Sequence, residues 1–234
     1  MPKVSILIPA YNEKDTILEI LRRIDDVVLN IEKEVIIIDD CSTDGTRDIV
    51  KNLDPDKCVV ILQEKNQGKG AALKAGIAQA TGDFVIFQDA DLEYSPSDFP
   101  ALLAPLLENR ADMVIGSRVL SGDMRLFGKN RVHLSSYINC KVITGAMNLF
   151  YGQNGTDYYG CYKVFRKDTL DSVSILADRF EYDSELLCKL FKRQVRFAEV
   201  PTQYNPRGPN KGKKISWRDF PSIFFSVVKW RFLD

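Results

Sequence analysis

Five short apolar runs, residues 3–8, 34–39, 58–63, 84–88 and 112–116, alternate with helix-patterned segments through the first 118 residues. After the first run, Ile17, Ile20, Leu21, Ile24 and Val28 recur at helical i, i+3, i+4, i+7 spacing over residues 16–28. A short helix is predicted through Ile49, Val50 and Leu53, an Ala-rich one over residues 69–80, and another on Phe99, Leu102, Leu103, Leu106 and Leu107. Strands that are apolar almost throughout, not only at every second residue, are buried on both faces. Separated by helices, they predict an α/β fold with a mostly parallel sheet covered on both sides. The later chain predicts a helix over residues 131–151, a strand at 160–166, a helix at 182–193 and a strand at 195–204 interrupted by Pro201. A basic loop, PRGPNKGKK, and a closing helix over residues 217–232 follow.

Composition removes several function classes. Hydrophobic residues make up 45% of the chain and charged residues 27%, so disordered, collagen-like and disulfide-scaffold chains are excluded. Lys plus Arg (32) balance Asp plus Glu (32), which gives no reason to expect a nucleic-acid partner. Five scattered cysteines without a C-x-x-C pair suggest neither a disulfide framework nor zinc, and a reducing cytoplasm fits them. No apolar stretch approaches the ~18 residues of a membrane span, and the first residues lack the layout of a signal peptide.

In parallel sheets, ligands sit beyond the carboxyl ends of the strands. Here the strand exits are polar: Pro9-Ala10-Tyr11-Asn12-Glu13, Asp39-Asp40-Cys41-Ser42, Asn66-Gln67-Gly68-Lys69-Gly70, Asp89-Ala90-Asp91-Leu92-Glu93 and Gly116-Ser117-Arg118. If the strand ending in FVIFQ stays extended, Asp89 and Asp91 point the same way and, with Glu93, converge on one point. Oxygen ligands of this kind favour Mg²⁺ or Mn²⁺ over zinc. An isolated D-x-D is more often a solvated acidic loop capping a helix. Its neighbours change that reading. The N-terminus of the Ala-rich helix, with Lys69, can approach an anion; Asp39 or Asp40 can accept bonds from base or ribose; Tyr11 and Glu13 offer a stacking ring and a ribose acceptor.

The segments VSILIPAYNE, VIIIDDCSTDGT, NQGKGAAL, GDFVIFQDADLEY and MVIGSR occur in that order, and the chain resembles the inverting, metal-dependent glycosyltransferases of family two, which have the GT-A fold. Within that family, the segments TDYYGCYKVFRKD, FEYDSELLCK and VRFAEVPTQYNPR look more loosely like the dolichyl- or polyprenyl-phosphate mannosyl- and glucosyltransferases. The resemblance implies a nucleotide-sugar-binding half at residues 1–118, an acceptor-side half at 119–216 and a C-terminal amphipathic helix at 217–234. It implies that Pro9, Ala10, Tyr11, Glu13, Ile38, Asp39, Asp40, Lys69 and Ala90 hold the nucleotide, and that Asp89, Asp91 and Glu93 surround Mg²⁺ or Mn²⁺. Asp89, Asp91 and Arg118 become the catalytic set. Arg118, Arg131, Arg207, Lys211, Lys213 and Lys214 meet phosphates. Two departures from the mannosyltransferase pattern matter: Glu93 stands where Gln is found, adding negative charge, and residues 154–160 read NGTDYYG where a D-x-x-S-G turn is usual.

These expectations imply transfer of mannose or glucose from a GDP- or UDP-sugar to a polyprenyl phosphate, by a protein peripheral on the cytoplasmic face of a membrane. A phosphate acceptor is already anionic and needs positioning more than proton removal. A saccharide hydroxyl acceptor would require a base, for which Asp157, Asp183 and Glu185 compete. A non-catalytic nucleotide-sugar binding module is the reading outside enzymology. A sugar nucleotidyltransferase would need a Gly-rich basic loop where PAYNEKD stands. The aromatic closing helix suits either a membrane interface or packing on the domain.

Overall fold

A computed structural model describes residues 1–126, 132–207 and 219–233. Strands β1 (Lys3–Ala10), β2 (Glu32–Asp39), β3 (Val59–Leu62), β4 (Phe84–Phe87), β5 (Met113–Ser117), β6 (Lys163–Arg166) and β7 (Phe197–Pro201) form one sheet in the order β3-β2-β1-β4-β6-β5-β7. The helices are α1 (Ile17–Asp26), α2 (Thr46–Lys51), α3 (Lys69–Gln79), α4 (Phe99–Leu107), α5 (Leu134–Tyr151), α6 (Lys167–Asp171), α7 (Glu181–Lys192) and α8 (Phe220–Phe232).

The continuous apolar runs are explained by two cores, one on each face. Successive strand side chains point to opposite faces. Val4, Ile6 and Ile8 of β1 therefore join Ile17, Ile20 and Ile24 of α1 and Leu102, Leu103 and Leu106 of α4. Leu7, Ile36, Ile38, Val85 and Phe87 enter the opposite core with Leu73 of α3, Leu186 and Leu190 of α7, and Val227 of α8.

The sheet is mostly parallel, as the sequence predicts, with one exception. β6 runs antiparallel to both neighbours, β4 and β5, whereas β7 pairs parallel with β5. A strand from the later chain thus lies between two from the first 118 residues. On the other side of β4, β1 pairs parallel with both β2 and β4. Chain order runs outward from β1 to β3 and then returns to β4. The connections from β1 and β4 thus leave toward opposite sides, a switch point of the kind beyond which such sheets bind ligands.

The start of α3 is pinned against the segment preceding α7. Ala71 N donates to Asp178 O at 2.9 Å, and a Cβ on Gly70 would lie 2.7 Å from Tyr182 Cβ and 2.9 Å from Ala177 O. Only glycine permits that approach. Gly68, at φ +101°, turns the chain into the helix.

The closing helix packs on the domain. Ile223, Val227 and Trp230 of α8 are buried, Tyr151 OH donates to Val227 O at 2.8 Å, and the Lys189 ammonium lies 3.8 Å from the Trp230 ring centroid. Phe225 and Phe232 remain 65% and 79% exposed. Trp217, where the sequence begins this helix, lies outside the described residues. Among the described residues, no helix is long and apolar enough to cross a membrane.

Candidate active site

The loops after β1 and β2 are cross-linked before any ligand is considered. Asn12 N donates to Ser42 Oγ at 2.9 Å, Thr43 N to Asn12 Oδ1 at 2.8 Å, and Glu13 N to Thr46 Oγ1 at 2.8 Å. Asn12, Cys41 and Leu92, one in each of the loops after β1, β2 and β4, have φ of 53°, 62° and 63°. Left-handed backbone at a non-glycine residue is costly and persists where its surroundings hold it. Three such residues lie in the strand-exit loops that carry the partly exposed Tyr11, the buried Glu13 and the acid turn.

β4 stops at Phe87, so Asp89, Asp91 and Glu93 lie in a turn rather than on an extended strand. The expected convergence by strand alternation does not occur. Asp89 Oδ1 is 2.6 Å from Lys69 Nζ, whereas Asp91 and Glu93 share Arg207: Asp91 Oδ2 is 2.7 Å from Nη2 and Glu93 Oε1 3.8 Å from Nε, while Glu93 Oε2 accepts from Tyr204 OH at 3.0 Å. Asp91 Oδ1 also accepts from Glu93 N at 3.1 Å, closing the turn. Among the described residues, no group of three or more Asp, Glu, His or Cys side chains is arranged to hold a metal ion.

The electrostatics nevertheless suit a divalent cation. Burial, together with the charges of Asp89 and Glu93, pushes the Asp91 carboxyl up to about 7 despite Arg207. Burial also raises the Asp89 carboxyl, but the adjacent Lys69 ammonium outweighs it and holds the group below the usual carboxylate range. Crowded carboxylates of this kind are stabilised by added positive charge. Mg²⁺ and Mn²⁺ bind through one or two carboxylates plus substrate phosphates, so Asp91 with Asp89 fits such an ion without a cage of three acids.

On the nucleotide side, several expected roles change. The loop N–H groups offered to an anion are taken by Asp40, whose carboxylate accepts from Gln67 N at 2.7 Å and Gly68 N at 2.8 Å. Lys69, likewise expected at an anion, is paired with Asp89. Asp39 is fully buried and bound to Arg47 Nη1 at 2.9 Å. Ile38 is fully buried in the core, where a Cβ on Gly76 would come within 2.8 Å of its Cδ1, so its side chain cannot contact a nucleoside. Ala10 and Ala90 are buried under the loops, while Pro9 and Tyr11 stay partly exposed.

Arg118 is also not where a phosphate contact would put it. It is 5% exposed, with Nε 2.7 Å from Asp157 Oδ2 and Nη2 2.9 Å from Asp157 Oδ1, and its guanidinium lies 5.1 Å from the Tyr204 ring centroid. Burial alone would raise the Asp157 carboxyl, but Arg118 and the hydrogen bonds from Arg118 and Cys140 hold it at about 2. Asp157 is therefore a clamp, not a base. Glu185 is equally committed, accepting from Leu176 N and Ala177 N at 2.9 Å and pairing with Lys189 at 2.6 Å. Of the three candidate bases, Asp183 alone stays partly exposed, with Oδ1 3.4 Å from Nζ of the fully buried Lys163.

Sequence reasoning missed Tyr204 and Lys163. Nothing local marks Tyr204, whereas a lysine inside the apolar run YKVF was a usable signal. Arg207, expected at a phosphate, reaches the acid turn and pairs there with the carboxylates of Glu13 and Asp91. Arg131, Lys211, Lys213 and Lys214 lie outside the described residues.

Comparisons with known proteins agree with this architecture. The family model described as glycosyl transferase family 2 matches residues 5–174. A dolichol-phosphate mannosyltransferase of Pyrococcus furiosus is 28% identical over 232 residues, covering 97% of this chain and 64% of that protein. An undecaprenyl-phosphate 4-deoxy-4-formamido-L-arabinose transferase of Proteus mirabilis is 30% identical over 215 residues, covering 89% of this chain and 62% of that protein. The chain thus spans somewhat less than two thirds of the length of these two relatives. Among solved structures, glucosyl-3-phosphoglycerate synthase from Mycobacterium tuberculosis with Mn²⁺, UDP and glucosyl-3-phosphoglycerate superposes with a TM-score of 0.70 at 20% identity, covering 98% of this chain and 78% of that one. The same synthase with Mg²⁺ and UDP gives a TM-score of 0.73 at 20% identity, with the same coverage.

Proposed function

Because the chain belongs to glycosyl transferase family 2, we propose that it moves a hexose, mannose or glucose, from a GDP- or UDP-sugar to a polyprenyl phosphate, with inversion at the anomeric carbon. The observation that carries this reading is the acid turn after β4, joined through Arg207 to Glu13 at the exit of β1, on the sheet's switch point. Polyprenyl-phosphate acceptors appear in the names of relatives that this chain resembles along most of its length.

In this reading Tyr11 and Glu13 bind the nucleoside at the exit of β1, and Asp91 with Asp89 would hold Mg²⁺ or Mn²⁺ against the diphosphate. Such an ion, when bound, neutralises charge building on the departing nucleoside diphosphate. Lys69 keeps Asp89 ionised and fixed. Tyr204 ties Glu93 to the platform over Arg118, so the turn keeps its shape while the sugar moves. The acceptor phosphate attacks without losing a proton, consistent with two of the three candidate bases being locked in other bonds. Leu149 at the end of α5 and Phe225 and Phe232 of α8 are exposed apolar residues on two helices that touch each other, a fitting contact for a membrane surface. The five unpaired cysteines suit the cytoplasmic side.

The test is a transfer assay with radiolabelled GDP-mannose and UDP-glucose, Mn²⁺ or Mg²⁺, and either polyprenyl phosphate or a panel of saccharides. The expected product is a chloroform-soluble, mild-acid-labile phosphohexose. Label appearing only in saccharides would replace the acceptor class. Donor binding without transfer or hydrolysis on any acceptor would favour the binding-module reading.

A further inference from the structure

Arg207 occupies the position where the proposed site needs positive charge. Its Nη2 is 2.7 Å from Asp91 Oδ2 and 3.3 Å from Glu13 Oε1, its Nη1 is 3.3 Å from Glu13 Oε2, and its Nε is 3.8 Å from Glu93 Oε1. One guanidinium thus links the exit of β1 to the turn after β4. The fit is loose: one bond is short, two are long, and the buried Nε has no hydrogen-bond partner. Arg118, by contrast, meets one carboxylate through two bonds of 2.7 and 2.9 Å. The Arg207 backbone is held separately, its N–H donating to Glu93 Oε1 at 2.8 Å and Asn205 N donating to Glu93 O at 2.8 Å.

From this geometry we propose that Arg207 is an exchangeable counter-cation: it neutralises Asp91 and Glu13 until a divalent cation takes the Asp91 oxygen, and the released guanidinium then receives the acceptor's phosphate. The proposal rests on the functional reading above and adds an order of binding to it. A guanidinium and a divalent ion repel each other and cannot share Asp91 Oδ2, so the two states exclude one another. The backbone bonds to Glu93 keep the Arg207 Cα beside the acid turn, so the freed side chain stays within reach of a phosphate there. Planar, forked donors suit that second partner as well as the first. The cation therefore loads before the acceptor, and an empty site presents no competent phosphate grip. By linkage, whatever binds the guanidinium elsewhere favours the cation, and whatever removes the guanidinium does the same.

The experiment uses the full chain and Mn²⁺ alone, followed by electron paramagnetic resonance of the free ion, with wild type, Arg207→Gln and Arg207→Lys. Thermal melts check that each variant is folded; both substitutions retain the backbone donor to Glu93. Arg207→Gln is expected to bind Mn²⁺ about tenfold more tightly than wild type, equivalent to about 1.4 kcal/mol. Arg207→Lys, a point charge that cannot bridge both acids, should fall between them. Equal affinity, weaker affinity, or no binding by any of the three proteins would overturn the exchange. Inorganic phosphate should tighten Mn²⁺ binding by wild type and leave Arg207→Gln unaffected; an identical response from both would overturn the phosphate half of the proposal. These readouts need no transfer, so loss of lipid-phosphate activity with a retained Mn²⁺ difference would count against the functional reading alone.

Discussion

Arg118 and Arg207 were both expected at phosphates, and the structure places both on carboxylates in different ways. Arg118 lies under the Tyr204 ring and grips one fully buried acid through a two-bond fork. Arg207 joins acids from two loops, through one bond of 2.7 Å to Asp91 and two of 3.3 Å to Glu13, and its side chain is 18% exposed. A desolvated pair cannot lose one member without stranding the other's charge. A pair near water can exchange its partner. The first arginine is a fixed part of the platform, and the second is the one that the proposed exchange requires to move.

The comparison is tested most strongly at its buried end. Asp157→Asn should leave Arg118 unpaired in a dry site and destabilise the protein by about 3–5 kcal/mol, read from urea unfolding. Removing an exchangeable partner should act on activity instead. Asp91→Ala is expected to lower kcat by about 10²- to 10³-fold with little change in melting temperature; a collapse in stability would make Asp91 structural too. The buried pair also predicts an acid limb. The Asp157 carboxyl, at about 2 in the folded chain, has an unfolded value of about 3.9, so its contribution of roughly 2–3 kcal/mol is present above pH ~4. It is lost as pH falls from about 4 to about 2, and Asp157→Asn should lack that component of the pH–stability curve. The smallest effect is expected at the link between the two arginines. Tyr204→Phe removes the bond to Glu93 and should cost about 1–2 kcal/mol.

The strand exits were legible because buried parallel strands write themselves as unbroken apolar runs, and the polar residues that follow them sit at one sheet edge by construction. Asp89, Asp91, Glu13 and Tyr11 were singled out in that way, and the structure places them in the loops after β4 and β1. Strand direction has no such signature: residues 160–166 read as a strand, yet nothing in YKVFR says that it runs antiparallel between β4 and β5. The pairing of Arg118 with Asp157 joins residues 39 apart in sequence, and only the folded sheet brings them together. Asp40 was misread for a related reason. A carboxylate after a strand can face a ligand or cap the next loop, and spacing alone does not choose between the N–H groups of Gln67 and Gly68 and those of a base.

The tight seat of Gly70 on residues 177–178 has an effect beyond packing. A fragment ending at residue 118 would carry the glycine-rich turn without the carbonyl of Asp178 that fixes the first turn of α3. Residues 1–118 are therefore not a portable module that could be cut out or grafted onto another scaffold. The two halves of the chain were shaped as a single casting.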